Sequence, residues 1–168
     1  EQISVASATY IEPRWSPDGA RILAEKASAR DYDEAIARGI LGEPTDLVWL
    51  PADGGAPTLI TPTGGLSSFH FTDDPERIWA YSGADGLVSM RWDGTDREAH
   101  VKVRGRSTSG GSEGQNASAI LMAPQGDQAL AQIVNDIYVV TVPYVGGETP
   151  TISVSNPDDA TFPARKLT

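Results

Sequence analysis

His70 and His100 are the two imidazoles of a 168-residue chain that contains no cysteine. Imidazole is the commonest protein metal ligand and the usual general base near neutral pH. A zinc site, however, needs about three or four converging ligands, and no His-x-His pair occurs here. His70 alternates with Phe69 and Phe71 in an inner-strand pattern and His100 follows a hairpin, so each reads as a structural residue ahead of a ligand. Without thiols there are no disulfides, thiolate metal sites or cysteine nucleophiles.

The carboxylates offer a different chemistry. Asp73-Asp74, Asp158-Asp159 and the cluster Asp31, Asp33 and Glu34 present the hard oxygen donors that calcium takes. No glycine-spaced ladder of ligands accompanies them, which favours solvated loops. A nucleophilic serine in a Gly-x-Ser-x-Gly elbow belongs between a strand and a helix. Ser107 and Ser109 lie instead in a glycine-rich stretch, residues 105–114, that also lacks the Gly-Lys-Ser/Thr ending of a phosphate loop. Asn116-Ala117-Ser118 fits a glycosylation sequon, a tripeptide common by chance. The sequence therefore assigns no catalytic, cofactor-binding or metal residue, and implies no cofactor in this segment.

What positions these groups is a repeat. Tyr10 to Gly19 contains Pro13-Arg14-Trp15-Ser16-Pro17-Asp18-Gly19, and is followed by the apolar run Arg21 to Ala24, by Asp46 to Leu50, by Asp53-Gly54-Gly55 and by Thr58 to Thr61. The order recurs with Phe69 to Pro75, Arg77 to Ala80, Gly86 to Met90, Asp93-Gly94-Thr95 and Ala99 to Val101. It recurs again with Ala119 to Gly126, Gln128 to Ala131, Asp136 to Val140 and Gly146-Gly147. Short β-branched or aromatic runs separated by turn residues describe antiparallel hairpins, four strands to a unit. Asp18, Asp53 and Asp93 precede glycines that supply positive φ, so turn geometry accounts for them without catalysis.

From Asp53 to Asp93 is 40 residues, near the roughly 40–45 of a four-stranded propeller blade. Ser16 to Thr72 is longer, at 56, because residues 27–45 form an insertion whose Asp31 to Arg38 predicts a short helix ended by Gly39. The fold class expected is all-β: a partial β-propeller of about three four-stranded antiparallel blades. Residues 1–7 read as the outer strand of a preceding blade. Residues 8–65 form a blade with the helical insertion, 66–104 a second blade, and 105–168 a third with the glycine-rich loop. Trp15, Trp49, Trp79 and Trp92 are placed on strands, where packing between blades is their default role.

Charge narrows the partners. Thirteen basic against 23 acidic residues give a formal net charge of −10, which repels phosphate backbones and anionic lipid. Nucleic acid and membrane are therefore excluded as partners. No stretch reaches the roughly 20 apolar residues of a membrane helix, and the first ten residues lack the pattern of a signal peptide. The modest number of blades leaves apolar faces at both ends, so the rest of a parent polypeptide or a second copy of the chain is the expected partner, with a peptide-like ligand or protein as a further one.

The string Pro13 to Gly19 followed by Ile22-Leu23 resembles the blade motif of TolB-like propellers. The match is close in the first unit and looser in the others, where Thr72-Asp73-Asp74-Pro75 and Ala123-Pro124-Gln125-Gly126 replace it. The ending, Thr161 to Thr168, is similar to the stretch before a further blade in bacterial proteins whose propeller precedes a metal-dependent amidohydrolase barrel. That resemblance implies a non-catalytic module of a hydrolase, serving as scaffold or as a substrate- or partner-binding platform, in a periplasmic or secreted protein. The barrel's metal ligands have no counterpart here. Two alternatives remain: a TolB-like periplasmic interaction propeller without an enzyme, and the accessory propeller of a serine peptidase.

Overall fold

The computed structural model describes residues 3–4, 8–39, 45–105, 114–143, 147–154 and 164–167. They form two compact units, Glu1–Gly64 with Trp92–Gly94, and Gly65–Arg91 with Thr95–Thr168. Strands dominate both.

The first unit holds one sheet in simple meander order: β1 (Thr9–Trp15), β2 (Arg21–Ala27), β3 (Asp46–Pro51) and β4 (Thr58–Pro62), each antiparallel to the next. The β1–β2 turn follows from its residues. Gly19 takes φ 69° and its N–H donates to the Ser16 carbonyl at 2.9 Å, while Ser16 Oγ donates to the Asp18 carboxylate. Between β2 and β3 lies the helix α1 (Ala29–Ala37), N-capped by Ser28 and closed by Gly39 at φ 67°. Glu34 pairs with Arg30 and Arg38 one turn away on either side, a spacing that supports exposed helices. Leu23, Ala24, Leu47, Val48 and Leu50 are buried. The guanidinium of Arg21 stands over two indole rings, 5.2 Å from the centre of Trp49 and 4.9 Å from that of Trp92, a cation–π arrangement.

The second unit holds two sheets. One runs β12-β8-β7-β6-β5, built from β5 (Leu66–His70), β6 (Arg77–Ser82), β7 (Gly86–Arg91), β8 (Glu98–Arg104) and β12 (Thr151–Ser153). The other runs β13-β11-β10-β9, from β9 (Ala119–Met122), β10 (Gln128–Ile133), β11 (Asp136–Thr141) and β13 (Ala164–Lys166). Their facing sides share one core. Trp79, Tyr81, Leu87, Val101 and Val103 come from the first sheet, and Ile120, Met122, Ala129, Ala131, Tyr138 and Val140 from the second. Burying a Leu, Ile or Val side chain is worth about 1.5–3 kcal/mol, so this stacked pair carries much of the unit's stability.

One repeat does not map onto one sheet throughout. After β11 the chain leaves its own sheet, and β12 adds to the neighbouring one in parallel with β8, burying Ile152. The vacated edge beside β11 is then filled by antiparallel β13. The second sheet thus has five strands, one of them parallel.

The innermost strands depart from strict alternation at the same place in two repeats. Glu12 and Pro13 on β1 lie opposite the single residue Ala24, and Ser68 and Phe69 on β5 lie opposite Ala80. Glu12 (φ 48°) and Ser68 (φ 54°) are left-handed. These are two-against-one β-bulges, which twist a strand and re-aim its side chains. In β5 the bulge puts Leu66 and Phe69, three residues apart, both in buried positions. Of the stretch expected to alternate, Phe69 is buried and His70 half-buried, and β5 ends at His70 with Phe71 outside it.

Val134 opens the two-residue β10–β11 turn at φ 56° and is 59% exposed. A branched side chain in the left-handed region costs about 1–2 kcal/mol, against a Gly entropy penalty of roughly 0.5–1 kcal/mol. Val134→Gly is therefore expected to leave packing intact and raise stability by up to about 1 kcal/mol in urea titration. A loss of stability would show that Val134 is not strained.

Candidate functional site

Among the described residues, reactive side chains converge on one side of the five-stranded sheet, where β6, β7 and β8 carry Arg77, Ser89 and His100 within hydrogen-bonding reach. Ser89 is directly opposite Trp79 in the ladder, and Arg77 is opposite Arg91. His100 falls where β8 bulges against β7, between Ala99, which pairs with Val88, and Val101, which pairs with Leu87.

Ser89 Oγ accepts from Arg77 Nε at 2.9 Å and lies 2.8 Å from His100 Nε2. An arginine only donates. In the Nδ1–H tautomer of His100 the serine proton goes to Nε2, and in the Nε2–H tautomer Ser89 Oγ accepts from both neighbours. The distance matches a serine nucleophile against its base. Access does not, because Ser89 is fully buried and the Arg77 N–H draws on the oxygen that attack would require. The indole of Trp79 covers the imidazole, with ring centres 4.4 Å apart. The pair holds the sheet together.

Arg77 also fixes the exit of the next turn. Its two terminal nitrogens donate to Asp96 Oδ2 at 2.8 Å and to the Asp96 carbonyl at 2.7 Å, and Arg91 Nε reaches the same carboxylate at 3.2 Å. These arginines, Arg77 foremost, hold the Asp96 carboxyl below the ordinary carboxylate range. They also secure Asp96 at φ 53°, a conformation a non-glycine residue rarely takes.

Burial pushes the His100 pKa below its ordinary value of 6.5, with Glu98 opposing and Arg77 assisting. A histidine whose pKa is lower folded than unfolded leaves the unfolded chain binding more protons, so stability rises with pH across that window. The thermal midpoint is expected to fall as pH drops below about 6.5, and His100→Gln to flatten that slope. Parallel slopes in the two proteins would remove His100 from the effect.

His70 is held on both ring nitrogens. One, Nδ1, lies 2.7 Å from the Ser68 carbonyl, and Nε2 accepts the Met122 N–H at 2.7 Å. A carbonyl only accepts and an amide only donates, so His70 is the neutral Nδ1–H tautomer. It bridges the two stacked sheets of its unit, and neither nitrogen is left for a metal.

The remaining residues singled out in the sequence are dispersed. Gly54 and Gly94 take φ 97° and 78°, placing Asp53 and Asp93 in turns. At 2.3 Å from the Ile60 oxygen, a Cβ on Gly94 would have no room. Asp18 is lowered by the Ser16 hydroxyl and then by the Ala20 amide. Asp74 Oδ1 accepts from the Glu76 N–H at 2.9 Å in a local turn. Asp31, Asp33 and Glu34 lie on α1, and Asn116 bridges Arg104. Ser107, Ser109, Asp158 and Asp159 fall outside the described residues. Among those described, no three His, Asp or Glu side chains are arranged to hold a metal ion. The tryptophan placement needs correction at one position, Trp92, which lies in the β7–β8 turn; Trp15 is on β1 as expected but is 62% exposed there rather than packed. A pocket beside Tyr81, Gly86, Lys102 and Arg104 measures about 40 Å³, far below the ~300 Å³ of a small-molecule site.

Sequence reasoning missed the Ser89–His100–Arg77 network. The Asp93-Gly94 turn does announce that β7 and β8 pair, but the bulge that pairs Ser89 with Glu98 and leaves His100 as the extra residue, its imidazole reaching Ser89, has no signature in residue type.

No protein-family model matches this chain, and no curated protein is similar to it. Among solved structures it overlaps an oligogalacturonate lyase in complex with manganese at a TM-score of 0.53 and 12% identity, covering 84% of this chain and 42% of the lyase. It also matches a putative TolB from Agrobacterium tumefaciens (TM-score 0.36, 14% identity, 84% of this chain and 65% of that one). A putative 6-phosphogluconolactonase from Bacteroides uniformis gives a TM-score of 0.41 and 16% identity over 90% of this chain and 43% of that one. The chain thus spans less than two thirds of each. The lyase overlap, with the antiparallel sheets, establishes an all-β partial β-propeller of about three blades. At 12% identity it speaks for fold alone.

Proposed function

We propose that the chain is a non-catalytic TolB-like propeller module of a larger amidohydrolase-type hydrolase, acting as a scaffold or as a platform for substrate or partner. The observation that carries this reading is the sealing of the serine–imidazole pair among the described residues: Ser89 is fully buried and already engaged by Arg77 and His100. The Pro13 to Gly19 motif at the β1–β2 turn supports the TolB-like grade, and the amidohydrolase parent rests on the resemblance of residues 161–168. Its partners are the rest of that polypeptide or a second copy, with a peptide-like ligand or protein at the loops. A net charge of −10 disfavours nucleic acid and anionic membrane. No described helix is long and apolar enough to cross a membrane. A periplasmic or secreted location is part of the proposal.

The test has two arms. The purified 168-residue chain should show no metal-dependent amide hydrolysis, and turnover by it would refute the module. The encoded polypeptide beyond Thr168 should carry a His-x-His strand motif. Blades alone there would mean an interaction propeller, and a Gly-x-Ser-x-Gly elbow a peptidase accessory.

A further inference from the structure

The outward face of the β9–β10–β11 sheet is apolar where a solvated sheet would be polar. Leu121, Leu130 and Val139 form one row across the three strands, with Ile137 beside them. Leu121, Leu130 and Ile137 are 38%, 43% and 38% exposed. The intervening positions on that face are Ala119, Gln128, Gln132 and Thr141. None of these three strands places a charged residue there, in a chain that is 21% charged; the first charged residue in the row is Arg165, paired with Val139 on the edge strand β13. Depletion of charge over an apolar centre marks a surface built to be covered.

The repeat states what covers it. In the five-stranded sheet, His70 pairs with Trp79 and Trp79 with Ser89. In the next sheet the same ladder positions are Leu121, Leu130 and Val139, and Leu87 corresponds to Ile137. In the five-stranded sheet this face is covered: Trp79 and Leu87 are packed in the shared core, and His70 receives the Met122 N–H of the following sheet. Position for position, the exposed face is the next copy of an interface already formed once in this unit.

We propose that the face of Leu121, Leu130, Ile137 and Val139 is a stacking surface whose occupant is a further four-stranded blade supplied by the same polypeptide. The inference rests on the module reading above and adds the surface and the chemistry of its partner. The occupant presents small and medium apolar residues, as Ile120, Ala129 and Ala131 do toward the five-stranded sheet. A second copy is the poorer occupant, because two chains of net charge −10 repel each other.

The cysteine-free sequence makes a clean test. Leu130→Cys and, separately, Ile137→Cys are introduced into the 168-residue chain and into the encoded polypeptide extended beyond Thr168, with the turn variant Gln125→Cys as reference. Modification by a soluble maleimide is timed at two protein concentrations. At positions 130 and 137 the expected result is rapid labelling in the 168-residue chain at both concentrations. Protection of about tenfold or more should appear in the extended polypeptide, with position 125 reactive throughout. Equal labelling in both proteins overturns the proposal. So does protection in the short chain that grows with concentration, which would assign the face to a second copy, and so does a reading frame encoding no further strands. A polypeptide with more blades but no hydrolase would refute the module reading while leaving this one standing.

Discussion

Gly86→Ala is expected to lower stability by about 4 kcal/mol, at the upper end of what one substitution does. Gly86 begins β7 at φ 80°, and a Cβ there would lie 2.2 Å from the Val101 carbonyl oxygen and 2.9 Å from the Lys102 Cα. Both obstacles are backbone atoms of β8, fixed by the Leu87–Val101 pairing, so relief requires parting the two strands. The left-handed conformation adds about 1–2 kcal/mol by itself. Gly126→Ala is the matched control, since Gly126 has φ 79° and nothing within 4 Å of the added carbon. It should show only the conformational cost, about 1–2 kcal/mol. Urea midpoints for the two variants measure the difference, and equal losses would mean that β7 and β8 do not approach as described.

The second large effect is expected at His70. Replacing it with Phe keeps a ring of similar size but removes the acceptor for the Met122 N–H. A buried donor left without a partner costs about 1–3 kcal/mol. His70→Ala loses the ring's packing as well and should cost about 3–4 kcal/mol. The specific signature is the Met122 amide, whose hydrogen exchange should accelerate in both variants more than that of Val140 in the same sheet. Unchanged protection at Met122 would mean that the imidazole does not tie the sheets together.

How far the sequence leads can be judged residue by residue. Turn glycines such as Gly19 and Gly94 are legible because few other residues tolerate their backbone angles, and the runs between them are legible as strands because apolar residues recur with the repeat. The helix over residues 29–37 is announced by its acidic first turn and by Gly39. The bulges at Glu12 and Ser68 are not, since neither residue type demands a left-handed backbone. The bulge on β8 is equally silent, and with it the side-chain contact between His100 and Ser89. Nor does residue type say that Thr151–Ser153 leaves its own repeat, because three residues of suitable β-propensity fit either edge. At the candidate site, the absence of a histidine cluster could be read directly. That Ser89, unremarkable in sequence, would be the buried partner of an imidazole could not.

The route taken by β12 sets an order of events on the ribosome. Lys102 pairs with Thr151, 49 residues later, so the outer rim of the five-stranded sheet stays bare while the whole of β9, β10 and β11 is being synthesised. Until Thr151–Ser153 leaves the exit tunnel, the nascent chain offers β8 as an open template to any passing strand. A translational pause within that interval lengthens the risk, and brisk elongation through it shortens the exposure.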